Sequence, residues 1–383
     1  MRKTATAPAP TAPKITVPFF NVKRQYEALA SEIRPAVLKV LDSGAWILGP
    51  EVKAFETEYN QVMGSLHTVG VSSGTAALRL ALKALGVGHG DDVVIPAMTF
   101  VATATAVSEV GARPVLADID PKTIAIGAEQ LAAALTKKTK AVIPVHLYGG
   151  VADLGPIMKL AKSKGLRVVE DCAQAHLARY EGKAVGTVGD IGAFSFYPTK
   201  NLGGMGDGGA LTTQDGALAE TLLRLRNCGR PPGDNGKHEI VAYNSRLDEI
   251  QAAILRIKLR RLSDWVARRR AIAARYASEF AGLPLTLPDP GKGGTQHSFN
   301  IFCVRTPDRD RLQKHLAERG VGTGVYYPLP VHLIPAYRDL GYKEGSFPET
   351  EKTVRTVLGL PVYPELTDPE VGDVVKAVKS FFK

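Results

Sequence analysis

One lysine is set apart by its neighbours. Phe194-Ser195-Phe196-Tyr197-Pro198-Thr199-Lys200-Asn201-Leu202 runs into Gly203-Gly204-Met205-Gly206-Asp207-Gly208-Gly209. Aromatic residues precede Lys200, and a loop with almost no side chains follows it. Desolvation disfavours an ammonium and lowers its pKa, which makes the amine a nucleophile toward a carbonyl. The same stretch fits a lysine that snorkels out of a core strand. Residues elsewhere in the chain have to decide between the two.

Three other features bear on that choice. Val69-Gly70-Val71-Ser72-Ser73-Gly74-Thr75 leads at once into Ala76–Leu85, a strong helix former. Free amides at such a helix start, with hydroxyls from Ser73 and Thr75, suit a phosphate; simple capping by Ser73 or Thr75 is the plainer alternative. Asp171 follows the apolar run Val168-Val169 and Glu170, 29 residues ahead of Lys200. Phe100 opens another helix and could equally be a core residue. Pyridoxal phosphate asks for this set: a lysine for its aldehyde, an acid for its pyridine nitrogen, a helix start for its phosphate and packing for its ring.

The elements that must position these groups alternate in the middle of the chain. Strands are predicted at 69–71, 92–96, 114–117, 141–145, 166–170, 191–196 and 210–213. Helices are predicted at 25–41, 51–62, 76–85, 100–110, 128–135, 154–164 and 217–226. This βαβα order predicts an α/β fold with a mostly parallel central sheet and helices on both faces. Ligands of such sheets lie beyond the carboxyl ends of the strands, where Asp171 falls. A long helix starts at Asp248 and continues toward Phe280. Beyond it a strand at 299–304, a helix at 309–319, a strand at 321–327 and a helix at 371–382 predict a smaller C-terminal α+β domain. The divisions expected are a flexible tail over 1–16, a large domain over 17–250 and a small domain over 251–383.

Composition narrows the class. With 383 residues, 45% hydrophobic and 22% charged, the chain reads as a globular protein of two or three lobes. No apolar run approaches a membrane span, and the first residues lack the apolar core of a secretory signal. Cys172, Cys228 and Cys303 are odd in number and far apart, which fits neither a disulfide framework nor a metal-ligand spacing. A reducing cytoplasm and a protein without a metal are therefore expected. The net charge of +10 suits an anionic ligand. The basic run Lys258, Arg260, Arg261, Arg268, Arg269 and Arg270 reads as a solvated helix face and not as a nucleic-acid site. Gly204–Gly209 spells G-x-G-x-x-G, but a strand follows it where a dinucleotide fold needs a helix, so a nicotinamide enzyme is rejected.

From about Val17 to Phe381 the chain resembles the DegT/DnrJ/StrS family of nucleotide-sugar aminotransferases. The likeness is carried by Leu48-Gly49-Pro50-Glu51-Val52, Ser72–Leu78, Pro96–Ala102, Glu170-Asp171-Cys172-Ala173-Gln174-Ala175-His176, Phe196–Gly203, Tyr243–Ala253 and Tyr327-Pro328-Leu329-Pro330-Val331-His332. It implies the aspartate aminotransferase fold (fold type I) and an enzyme dependent on pyridoxal 5'-phosphate. Lys200 would carry the Schiff base, Asp171 would meet the pyridine nitrogen and Gln174 the ring hydroxyl. Gly74, Thr75 and Ser195 would hold the phosphate, and Phe100 would stack on the ring. Asn244 would reach the phosphate of a neighbouring subunit, which makes a homodimer with shared sites. Tyr327 and His332 would line the sugar side, and His176 would be a packed residue.

The resemblance further implies an aminotransferase that moves the amino group of L-glutamate to a nucleotide-linked keto-sugar, a dTDP- or UDP-3-keto-hexose by its Tyr327–Leu333 stretch. The alternatives are amination at C4 and a cofactor-binding regulatory protein without turnover. Two positions depart from the family pattern. Leu177 stands where glycine is usual and is expected to narrow the space near the cofactor, and Cys228 replaces a common histidine.

Overall fold

The computed structural model describes residues 14–233, 236–291 and 293–383. Most of the tail expected over 1–16 lies outside them. The first elements are α1 (Val22–Ser43), α2 (Pro50–Met63), β1 (His67–Val71), α3 (Gly74–Ala84), β2 (Asp92–Pro96), α4 (Val101–Glu109) and β3 (Arg113–Ala117). Next come α5 (Ala128–Ala134), β4 (Thr139–Val142), α6 (Leu154–Lys164), β5 (Arg167–Asp171), the short pair β6 (Arg179–Tyr180) and β7 (Lys183–Ala184), β8 (Ile191–Ser195), β9 (Gly209–Thr213) and α7 (Gly216–Arg226). The chain continues through α8 (Glu249–Leu259), α9 (Leu262–Glu279), β10 (Phe302–Arg305), α10 (Arg309–Glu318), α11 (Pro348–Thr356), β11 (Val357–Leu360) and α12 (Asp368–Phe381).

Seven strands form one sheet in the order β1-β9-β8-β5-β4-β2-β3. β2 with β3 and β4, β4 with β5, and β5 with β8 pair in parallel, while β9 runs against both of its neighbours. Side chains alternate across a strand, and the cores show it. Val93 and Ile95 of β2 join one core with Leu80 and Val107, whereas Val94 joins another with Leu131, Ile157 and Ala161. Helices therefore cover both faces, as the βαβα order requires.

A separate apolar cluster gathers Val17 with residues of α9, α10, α12 and the antiparallel pair β10–β11, including Tyr276, Phe302, Leu312, Leu358 and Val374. Three expectations fail in this half of the chain. The helix from Asp248 is two helices, broken at Arg260 and Arg261. The strand over 321–327 is absent: only Val321 and Gly324 make isolated bridges, to Val17 and Gly359. Its apolar residues face the core and the cavity instead of alternating within a sheet. β11 takes the edge position instead, in the register Phe302↔Leu360.

The basic run is also not a solvated face. Lys258 and Arg269 are buried, Arg256 ahead of them bonds Glu51 and Glu58, and Arg268 bonds Asp368. These cations serve acceptors far away in sequence, and a pattern read along one helix cannot show that.

Candidate active site

The carboxyl ends of β5 and β8 meet the N-terminus of α3. Val169 of β5 joins the core beneath α3 and Val168 joins the opposite one, so alternation brings Asp171 out on the α3 side. Ile191 and Ala193 of β8 lie in that same core, which sends Ser195 to the same side. Asp171 pairs with Ala193 across the parallel ladder. The chain then folds back through Lys200 N donating to Tyr197 O (2.9 Å) and Gly204 N to Phe196 O (2.7 Å). A cavity of ≈ 490 Å³ opens among these ends, and Gly74, Thr75, Phe100, Asp171, Gln174, Ser195, Lys200 and Tyr327 all border it.

At the start of α3, capping and a cradle coexist. Ser73 Oγ accepts from the Ala76 amide (3.1 Å) and Ser73 O from the Ala77 amide (3.0 Å). The amides of Gly74 and Thr75 have no acceptor among the described residues, as expected for the first turn of a helix. A Cβ at Gly74 would lie 2.7 Å from Ser195 Cβ, so only glycine leaves this corner open.

Asp171 is buried. Its Oδ1 accepts from the Ala173 amide (3.1 Å) and its Oδ2 from Thr103 Oγ1 (2.9 Å). Because the Thr103 proton is spent there, the 2.8 Å contact between Thr99 and Thr103 has Thr99 as donor. Burial raises the carboxyl's pKa, against the pull of the Ala173 amide, Thr103 and Lys200. Beneath it, His146 Nδ1 accepts from the Ala152 amide (3.2 Å), so the proton sits on Nε2 and goes to Glu170 (3.0 Å). Glu170 also accepts from the amides of Gly186, Val188 and Gly189. The ligand atoms of His146, Glu170 and Cys172 lie within 4.8 Å of one another. These bonds occupy the carboxylate, and burial keeps the Cys172 thiol protonated, so the trio supports the strand end structurally.

Lys200 retains some exposed surface, yet desolvation draws its pKa down to about 8, with Asp171 opposing. Its Nζ has no hydrogen-bond partner among the described residues. His176 lies among Tyr59, Phe194 and Phe196, fully buried, and burial lowers its pKa to about 3. It is a packed neutral ring. Gln174 is fixed from two sides: its Oε1 accepts from the Tyr148 amide (2.6 Å) and its Nε2 donates to Tyr327 OH (3.0 Å). Phe100 is half exposed, with its ring 5.3 Å from that of Tyr327.

Other positions fall elsewhere. His332 does not border the cavity: it is buried, bonds Glu351 (3.0 Å) and packs edge-on against Phe347. In this structure its ring is enclosed and presents no surface to the cavity. Asn244 is exposed and bridges Asn227, away from its own chain's cavity. Leu177 belongs to the apolar cluster of Tyr59 and Phe194 and does not narrow the cavity; its φ of 56° explains why glycine is at home there. Cys228 shares that left-handed backbone, also at φ 56°. Sequence reasoning missed Thr103, His146 and Tyr326, the last of which also borders the cavity. Thr99 and Thr103 were detectable as hydroxyls four apart at a helix start. His146 follows a predicted strand end by one residue.

A family model described as the DegT/DnrJ/EryC1/StrS aminotransferase family matches residues 27–379. The chain is 46% identical, over 95% of its length and 96% of the relative's, to a dTDP-3-amino-3,4,6-trideoxy-alpha-D-glucose transaminase of Streptomyces venezuelae. It is 44% identical to a protein of Geobacillus stearothermophilus named as a pleiotropic regulatory protein, covering 96% of this chain and 99% of that one. The solved structure of NtdA from Bacillus subtilis with bound cofactor PMP is similar with a TM-score of 0.89 at 32% identity, covering 96% of this chain and 85% of that one.

Proposed function

The chain belongs to the DegT/DnrJ/EryC1/StrS aminotransferase family, and we propose that it moves the amino group of L-glutamate to C3 of a dTDP- or UDP-linked keto-hexose with pyridoxal 5'-phosphate. The observation that carries this reading is the cavity that sets a partner-free Lys200 opposite a buried Asp171 at the N-terminus of α3. The relative's name favours C3 over C4.

The residues fit the cofactor. The Gly74 and Thr75 amides and Ser195 would take its phosphate in the corner that a Cβ at position 74 would fill. Asp171 would meet the pyridine nitrogen, and Phe100 would cover a ring face. Gln174 has a second N–H left for the ring hydroxyl after its bond to Tyr327. When bound, pyridoxal phosphate supplies an aldehyde and an electron-accepting ring.

The chain's own groups supply the rest. Asp171, held by Thr103 and the Ala173 amide, would keep a proton on the pyridine nitrogen. Lys200, with its pKa near 8, has about a tenth of its amine neutral at pH 7, against roughly one part in several thousand for a solvated lysine. It would thus accept the proton of the donor's Cα and return it to the former aldehyde carbon of the cofactor, as general base and acid. Tyr327 borders the same space and would face the sugar.

Asn244, exposed and away from its own cavity, is assigned to the phosphate of a second subunit, so the working unit would be a homodimer. No helix among the described residues is long and apolar enough to cross a membrane, and a cytoplasmic site of action is proposed with the rest. The regulatory name of one relative favours a second reading, a cofactor-binding protein without turnover; the intact Lys200 and Asp171 argue for turnover. Incubating the loaded protein with ¹⁵N-glutamate and a panel of dTDP- and UDP-3-keto and 4-keto sugars tests the assignment. Label in a 3-amino sugar is expected, and label only in 4-amino products would overturn the C3 assignment.

A further inference from the structure

Lys258, on α8, does not border the cavity and is 3% exposed. Its Nζ donates to Gly203 O at 2.7 Å, and among the described residues no carboxylate lies within ion-pair distance of it. A buried ammonium without an ion pair is costly, and burial lowers its pKa to about 8, with Glu365 opposing. Gly203 closes the turn that carries Lys200. A Cβ on Gly203 would lie 2.3 Å from Pro198 O, so the two ends of the turn touch, and holding one holds the other.

A second anchor acts on the same turn. Asn300 Nδ2 donates to Thr199 O (3.3 Å) and to Asn201 Oδ1 (3.1 Å), while Asn201 Nδ2 donates to Ser298 O (3.0 Å). Residues 199, 201 and 203 are thus each tied to α8 or to the 298–300 segment, while the Lys200 amine has no hydrogen-bond partner among the described residues. A group that must carry a proton between two atoms needs a fixed root and a free tip.

We propose that Lys258 is a positioning residue for Lys200: with Asn300 it clamps the turn Pro198–Gly203 and fixes the depth at which the Lys200 amine enters the cavity. The proposal rests on the reading of Lys200 as the reactive amine. Lys258→Met removes the donor at similar volume. In the cofactor-free full-length protein it should slow capture of added pyridoxal 5'-phosphate, followed by the rise of violet absorbance, by roughly tenfold or more. In the loaded protein the saturated rate with glutamate should fall comparably, with the half-saturating glutamate concentration within about twofold of the original.

Tyr276→Phe is the control, because it also loses a buried bond to a carbonyl (Pro361 O, 3.0 Å) but one that does not involve this turn; it should melt earlier and capture at the original rate. Asn300→Ala should reproduce the slow capture and carries the test if Lys258→Met does not fold. If the folded variants melt earlier yet capture at the original rate, the clamp is structural only and the proposal is wrong. Absence of capture by the unaltered protein would overturn the reading of Lys200, and this proposal with it.

Discussion

A largely enclosed amine and a buried carboxyl share the cavity, and each is held by a different force. Lys200 is drawn toward neutrality by desolvation, while Asp171 is drawn the same way but countered by the Ala173 amide and the Thr103 hydroxyl. The neutral amine is the reactive form, so capture of pyridoxal 5'-phosphate by the cofactor-free protein should speed up as pH rises and level off above about 8. A stopped-flow pH series checks this, and a midpoint near that of a solvated lysine would contradict it. Asp171 and Gly74 could be read from sequence because they occupy a strand end and a helix start, and Lys200 because aromatic and glycine stretches flank it, whereas Ser195 came only with the family resemblance. His332 could not, because a motif says nothing about enclosure, and the Glu351 that claims it lies on the next helix.

At the scale of elements, the parts that place the cavity are joined by bonds between distant segments. α2 opens without a side-chain cap of its own. Glu249, at the first turn of α8, instead accepts from the amides of Gly49 (2.7 Å), Glu51 (2.8 Å) and Val52 (3.0 Å). Glu249→Ala leaves those donors unpaired and should cost about 3 kcal/mol of stability, read from the shift of a urea unfolding curve. The strands and helices of the sheet were legible because each carries its own period and turn residues. The α8–α9 break and β11 were not. The break falls within an unbroken run of good helix formers, and β11 is a strand only because β10 lies beside it. The basic run misled for the same reason: Arg256 meets Glu51 and Glu58 across 205 and 198 positions, and Lys258 meets Gly203 across 55.

Over the whole molecule, the N-terminal helix is tied to the last one. Arg24 of α1 makes a two-pronged pair with Glu370 of α12 (2.9 and 2.7 Å). The Arg24 hydrogen bonds lower the Glu370 pKa to about 2, well below the usual carboxylate range. The folded pKa is depressed, so this stability is present above the unfolded pKa and is lost as pH falls from about 5 through 2. Thr367 shares in that shift and solvent screens the partly exposed guanidinium, so the Arg24 pair itself contributes about 1 kcal/mol. Arg24→Met should remove that much at pH 7 and far less at pH 2, measured by denaturant unfolding at the two pH values.

The central claim is that this cavity transfers an amino group and does more than bind a cofactor. The most direct measurement mixes the pyridoxal 5'-phosphate-loaded protein with L-glutamate alone, without any sugar, and counts 2-oxoglutarate released per chain. Close to one equivalent is expected, with loss of the violet absorbance, and none from Lys200→Ala. A loaded protein that keeps its colour in glutamate and releases no 2-oxoglutarate would contradict the claim and leave the regulatory reading in its place.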